Sequence, residues 1–193
     1  MPKYDPPGTI VRCCTREQWR DWLSEHFRSV REVWLVFPGK DSGEEGVSYN
    51  DAVEEALCFG WIDSTARRLD DEHHMRRFTP RRKGSPFSRP NVERLIRLDS
   101  HGLIHPDVRE SVASIISERY VFPEDILAVL QEDEVVWKNY IGFPEPYRRI
   151  RIAYIVDARR HPEEFRRRLE RFIAKTRQNS LISGYGGVDH ALD

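Results

Sequence analysis

What this sequence lacks narrows it first. Three cysteines occur in 193 residues, Cys13, Cys14 and Cys58. The odd count, with no C-x-x-C spacing, argues against a disulfide framework and a zinc ribbon and fits a reducing compartment. The longest apolar runs, such as Val33 to Phe37, fall far short of the ~20 residues a membrane-spanning helix requires. The opening Met1-Pro2-Lys3-Tyr4-Asp5 lacks the apolar stretch of a secretory signal. The expected location is the cytoplasm. Compact signatures are missing too: there is no G-x-x-x-x-G-K-[ST], no H-E-x-x-H, no G-x-S-x-G, and no G-x-G-x-x-G after a strand. The His73-His74 and His101/His105 pairs have no cysteine nearby. The second pair also straddles Gly102 and precedes Pro106, so no metal or other cofactor is expected.

Charge of one sign is lacking as well. A net charge of −1 supplies no global field for nucleic acid or membrane. The distribution is uneven, however. His73 to Val92 carries six basic residues, two histidines and no acid; Asp99 to Glu145 has ten acids against three bases; Tyr147 to Arg177 has eleven bases against four acids. Such blocks form solvated faces or pair across the fold.

What is present suffices for a globular core. The hydrophobic share of 39% approaches the usual value once the 11 glycines are added, and five Trp, seven Tyr and nine Phe supply bulk. A chain of this length buries roughly 70% of its unfolded surface without staples.

Along the chain, residues 1–14, with Pro2, Pro6, Pro7 and Gly8, read as a partly ordered leader. Thr15-Arg16-Glu17-Gln18 has the form of a capping box, and Trp19, Trp22, Leu23, His26 and Phe27 follow on one helical face. Val33 to Phe37 reads as a buried strand stopped by Pro38-Gly39. Ser48 caps a second helix with Ala52, Val53, Ala56 and Leu57 inward and Gly60 as its stop. Trp61 to Leu69 and His73 to Thr79 form a hairpin about Asp70-Asp71-Glu72. A further helix opens near Ser88, and another runs from about Pro106 to Glu118. Beyond Tyr120-Val121-Phe122-Pro123 the pattern is helical to about Lys175, with a loop-like tail from Leu181. Trp19, Trp22, Phe27, Leu35, Phe37, Leu57 and Ile62 are expected to share a core.

The fold class is therefore α+β: a small antiparallel sheet packed by helices over residues 15–119, then a helical part over 120–193. The densest chemistry lies between Arg76 and Asn91, where basic side chains, hydroxyls and a helix start coincide. Unpaired N–H groups at a helix start attract phosphate or carboxylate. The candidate binding residues are Trp61, Asp63, Arg77, Thr79, Arg81, Lys83, Ser85, Ser88 and Asn91, with Ser88 as a helix cap and Asp63 orienting Arg77 or Arg81. Asp63 can equally be a salt-bridged structural residue. No residue is assigned a catalytic role.

These segments also carry a resemblance. Val33-Trp34-Leu35-Val36-Phe37, Ser48-Tyr49-Asn50-Asp51-Ala52, Phe59-Gly60-Trp61-Ile62-Asp63-Ser64, Arg77-Phe78-Thr79-Pro80-Arg81, Phe143-Pro144-x-x-Tyr147-Arg148-Arg149-Ile150 and Arg159-Arg160-His161-Pro162-Glu163-Glu164-Phe165 resemble the YdeI/OmpD-associated, bacteriocin-protection family. The likeness runs from about Thr15 to Gly184; where many members have Trp after Gly-Ser, this chain has Pro86-Phe87. It implies a bacterial cytoplasmic protein, a small α+β fold of the YjbR or frataxin-like kind, and a role in stress or envelope defence. The leading expectation is a non-enzymatic binding protein with a small anionic ligand or a protein partner. The alternatives are an enzyme acting on a small anionic metabolite and a nucleic-acid binder, the charge balance arguing against the last.

Overall fold

The computed structural model describes residues 8–39 and 42–184. The first seven residues of the leader and the tail from 185 lie outside the described residues. Within them the chain forms β1 (Thr9–Arg12), α1 (Arg16–His26), β2 (Val33–Pro38), α2 (Tyr49–Cys58), β3 (Trp61–Arg68), β4 (His73–Pro80), α3 (Arg89–Ser100), α4 (Pro106–Ser117), α5 (Glu124–Gln131), α6 (Glu134–Gly142), α7 (Glu145–Val156) and α8 (Pro162–Arg177). The fold is α+β with a helical C-terminal part. Residues 8–86 and 98–113 cluster as one unit, and 87–97 with 114–184 as a second.

In the first unit the helices start where their caps stand. Thr15 Oγ1 accepts from the Gln18 N–H at 3.3 Å, while Gln18 Oε1 takes the Cys14 N–H at 2.7 Å. Ser48 Oγ accepts from the Asp51 N–H at 3.1 Å. Gly60 follows α2 at φ +71°, a conformation that costs other residues a Cβ clash, and its carbonyl accepts from the Arg81 N–H at 2.9 Å. The chain thereby turns directly from α2 into β3. Asp70 Oδ1 accepts from the N–H groups of Glu72 and His73, which closes the β3–β4 turn.

The sheet order is β1-β2-β4-β3. It is mixed, not wholly antiparallel, because Thr9–Arg12 of the expected leader forms an edge strand parallel to β2, from Thr9↔Val33 to Arg12↔Val36. Parallel neighbours need a crossover, and α1 supplies it. A four-residue strand is too short to announce itself by alternation. One sheet face, carrying Leu35, Phe37, Phe78 and Trp61, packs on α1 and α2. Trp19 is fully buried there, 5.3 Å from both the Trp22 and Phe78 rings, with its Nε1 donating to the Ala52 carbonyl at 3.1 Å. Of the expected core, Trp19, Leu35, Phe37 and Leu57 are buried, whereas Trp22, Phe27 and Ile62 are half-buried. Ile62 follows Trp61 in the same strand, so alternation turns it to the opposite face.

The second unit is built from residues 89–97 of α3, the last turn of α4, and α5 to α8. Ile126, Leu130, Val136, Tyr140, Tyr147, Ile150, Ile155 and Phe172 form its core. Asp133 starts α6 by accepting from the N–H groups of Val135 and Val136. Among the described residues no helix is long and apolar enough to cross a membrane.

Candidate functional site

The nine residues singled out from sequence occupy different settings. Trp61 is 1% exposed, donates its Nε1 to the Phe27 carbonyl at 3.2 Å and meets Trp22 edge-on; it is a core residue. Asp63 accepts from Arg76 Nη1 at 2.7 Å and from the Tyr49 hydroxyl at 2.9 Å, and the Arg76 guanidinium lies 4.3 Å over the Tyr49 ring. Its partner is thus Arg76, not Arg77 or Arg81. The reason is strand parity: Asp63 is opposite Phe78, so it shares a face with Arg76, and Arg77 points the other way. Arg77 pairs instead with Glu32 and holds that carboxyl below the usual range.

Arg81 directs Nη2 to its own loop, 2.9 Å from the Pro86 carbonyl and 3.2 Å from that of Ser85. Thr79 pairs with Ile62 in the hairpin, and Lys83 is exposed. Ser88 and Asn91 belong to the second unit, where the Ser88 carbonyl accepts from the Val92 N–H and Asn91 Oδ1 accepts from Arg94.

His73 and two buried thiols of the first unit have shifted pKa values. His73 lies between Asp70, 2.7 Å from its Nδ1, and Glu44, 3.1 Å from its Nε2. The hydrogen bond with Glu44, then that with Asp70, pushes its pKa up. Burial raises the Cys13 and Cys58 thiols to about 11 and about 12, so both stay protonated at neutral pH. Among the described residues no three His, Cys, Asp or Glu side chains are grouped to hold a metal ion.

The second unit holds a cleft of about 280 Å³ between α7, α8 and the segment after α8. Two helical stripes line it. Arg151, Tyr154 and Ile155 are spaced i, i+3, i+4 on α7; Glu164, Arg167, Arg168, Arg171 and Phe172 are spaced i, i+3, i+4, i+7, i+8 on α8. Ile182 and Ser183 complete the wall. Glu164 is engaged by Arg168, at 2.7 Å, and by Arg167, and these bonds keep its carboxyl below the usual range. Arg168 also donates to the Tyr154 carbonyl at 2.6 Å and stacks 3.8 Å over that ring.

Arg151 has a different environment. It is 3% exposed, its Nη2 donates to the Ile182 carbonyl, and its Nε is buried with no hydrogen-bond partner. Among the described residues no carboxylate pairs with it. Burial lowers its pKa, Tyr147 opposes that shift, and repulsion from Arg171 adds to it. Arg149, two residues earlier on the same helix, is fully matched by Glu93 and Glu145. Among the described residues the cleft is lined by four guanidinium groups, one carboxylate that two of them already occupy, and the half-buried apolar surfaces of Tyr154 and Ile182. Such a set binds oxyanions on an apolar body. In sequence an arginine-rich helix reads first as a solvated face, which hides such a cleft. The available signal was the i, i+3, i+4, i+7 spacing from Glu164 to Arg171.

The fold and cleft define an α+β protein whose helical unit carries a cationic pocket. Residues 11–111 match the family described as Domain of unknown function (DUF8412), and the chain belongs to that family. Residues 119–179 match the family described as Bacteriocin-protection, YdeI or OmpD-Associated, which includes both cleft-lining helices. This second match covers the later of the two groups of motifs that carried the resemblance. No curated protein and no solved structure matches the chain.

Proposed function

We propose that this protein is a cytoplasmic, non-enzymatic binding protein for a small anion, acting in stress or envelope defence, with the cleft of the helical unit as its receptor. The observation that carries the reading is Arg151, a buried guanidinium with an idle Nε and, among the described residues, no carboxylate beside it. An unpaired buried charge costs several kcal/mol, and a ligand that brings the counter-charge recovers part of that cost on binding. The groups around it support binding over proton transfer: Glu164, the one carboxylate lining the cleft among the described residues, is held ionised by two arginines and is poorly suited to act as a general acid. The defence role is supported by the description of the family that matches residues 119–179, where α7 and α8 lie. The cleft, not the Arg81 loop, takes the ligand here, because Arg81 directs Nη2 into its own loop.

A thermal-shift screen of phosphates, carboxylates and nucleotides tests this. A ligand at roughly 100 times its Kd stabilises the protein by about 2.7 kcal/mol, and Arg151→Met abolishes the shift. A melting curve that no anion moves, or a shift that survives Arg151→Met, removes the reading.

A further inference from the structure

Building on the proposed anion receptor, we infer that its ligand is a compact dianion on an apolar, ring-sized body, a phosphomonoester or a dicarboxylate, whose head displaces the Ile182 carbonyl from Arg151.

Size sets the first limit. A volume of about 280 Å³ equals about nine waters at ~30 Å³ each, room for about a dozen non-hydrogen atoms. A compact ligand fills it. Charge sets the second. Among the described residues Arg151, Arg167, Arg168 and Arg171 line the cleft with Glu164 as its one carboxylate, so a single negative charge leaves most of the excess unmatched and a double one matches more of it. The body follows from the walls that keep exposed surface: the half-buried Tyr154 ring and Ile182 line the cleft over the sealed Ile155 and Phe172.

The binding mode follows from the guanidinium. The Nε and Nη2 hydrogens of an arginine lie parallel along one edge, the edge a bidentate oxyanion occupies. In Arg151 the Ile182 carbonyl takes Nη2, while Nε is out of solvent and idle. An anion reaches Nε only when that carbonyl moves. The Ile182 main chain is held on its other side by one bond, its N–H donating to the Tyr147 hydroxyl at 3.0 Å. It lies past the end of α8 in a segment without regular structure, so its displacement disturbs no helix or strand.

The test is calorimetry on the full chain with phenyl phosphate, phthalate, benzoate, benzamide and inorganic phosphate, with hydrogen exchange of the Ile182 amide followed by NMR. Phenyl phosphate or phthalate is expected to bind at least about tenfold more tightly than benzoate or inorganic phosphate, and benzamide not at all. Which of the two wins tells phosphomonoester from dicarboxylate. Saturation speeds exchange at Ile182. Arg171→Ala, at an exposed position, narrows the gap between dianion and benzoate without moving the melting temperature. Benzoate or benzamide equal to the dianions, or Ile182 exchange unchanged at saturation, overturns the inference. If other anions shift the melting curve through Arg151 but none of these probes binds, the receptor stands and the ligand class is wrong. If no anion does, both fall.

Discussion

Arg149 holds Glu93 through two parallel hydrogen bonds of 2.7 Å, Nε to Oε1 and Nη2 to Oε2, across 56 residues of sequence. Glu93 is almost wholly buried and also pairs with Arg89. The pair fastens the start of α3 to α7 within the second unit. Removing one partner strands a buried charge, so Glu93→Gln is expected to cost about 3–5 kcal/mol in urea denaturation. A loss below about 1 kcal/mol would mean the pair behaves as an exposed one.

Arg151 predicts the opposite sign. Replacing an unmatched buried guanidinium by an apolar chain of similar length removes a desolvation cost, so Arg151→Met is expected to leave the ligand-free melting temperature unchanged or higher. A clear fall would show that the bond to the Ile182 carbonyl matters more than the buried charge.

His73 supplies a pH dependence. Its pKa is raised by Glu44 and Asp70, so its contribution is complete below the ordinary imidazole value of about 6.5 and fades as pH rises through the higher folded value. Stability of the wild type should therefore decline above about pH 6.5 relative to His73→Gln. Parallel melting-temperature profiles from pH 5 to pH 9 for the two proteins would refute this.

Trp61 separates core from site. With its ring buried and its Nε1 bonded to the Phe27 carbonyl, Trp61→Ala is expected to cost about 3–5 kcal/mol. Anion affinity of the protein that remains folded should not change. Weakened binding in that folded fraction would return Trp61 to the ligand site.

Most elements were legible because their signals are local. The hydroxyls of Thr15 and Ser48 cap the next few N–H groups, Gly60 stops a helix by its own φ, and Trp19 and Leu23 lie one turn apart on a buried face. The partner of Asp63 was not legible with equal certainty, since choosing Arg76 over Arg77 requires the β3–β4 register as well as the residue types. The cleft was harder still: Arg148, Arg149 and Arg151 look alike in sequence. The structure gives the second to Glu93, whereas the first and third lie over aromatic rings with a buried, idle Nε and no carboxylate among the described residues.

The sequence by itself determined where most helices and strands begin, most of the faces that turn inward, the α+β class and the later family resemblance, because caps, alternation and helical spacing act within a few residues. Tertiary structure alone decided that Thr9–Arg12 joins the sheet in parallel, that α3 starts in one unit and ends in the other, and which buried arginines lack a carboxylate among the described residues. Those outcomes depend on pairing between residues tens of positions apart, where charge and hydrogen-bond partners are fixed by packing and not by neighbours in the chain.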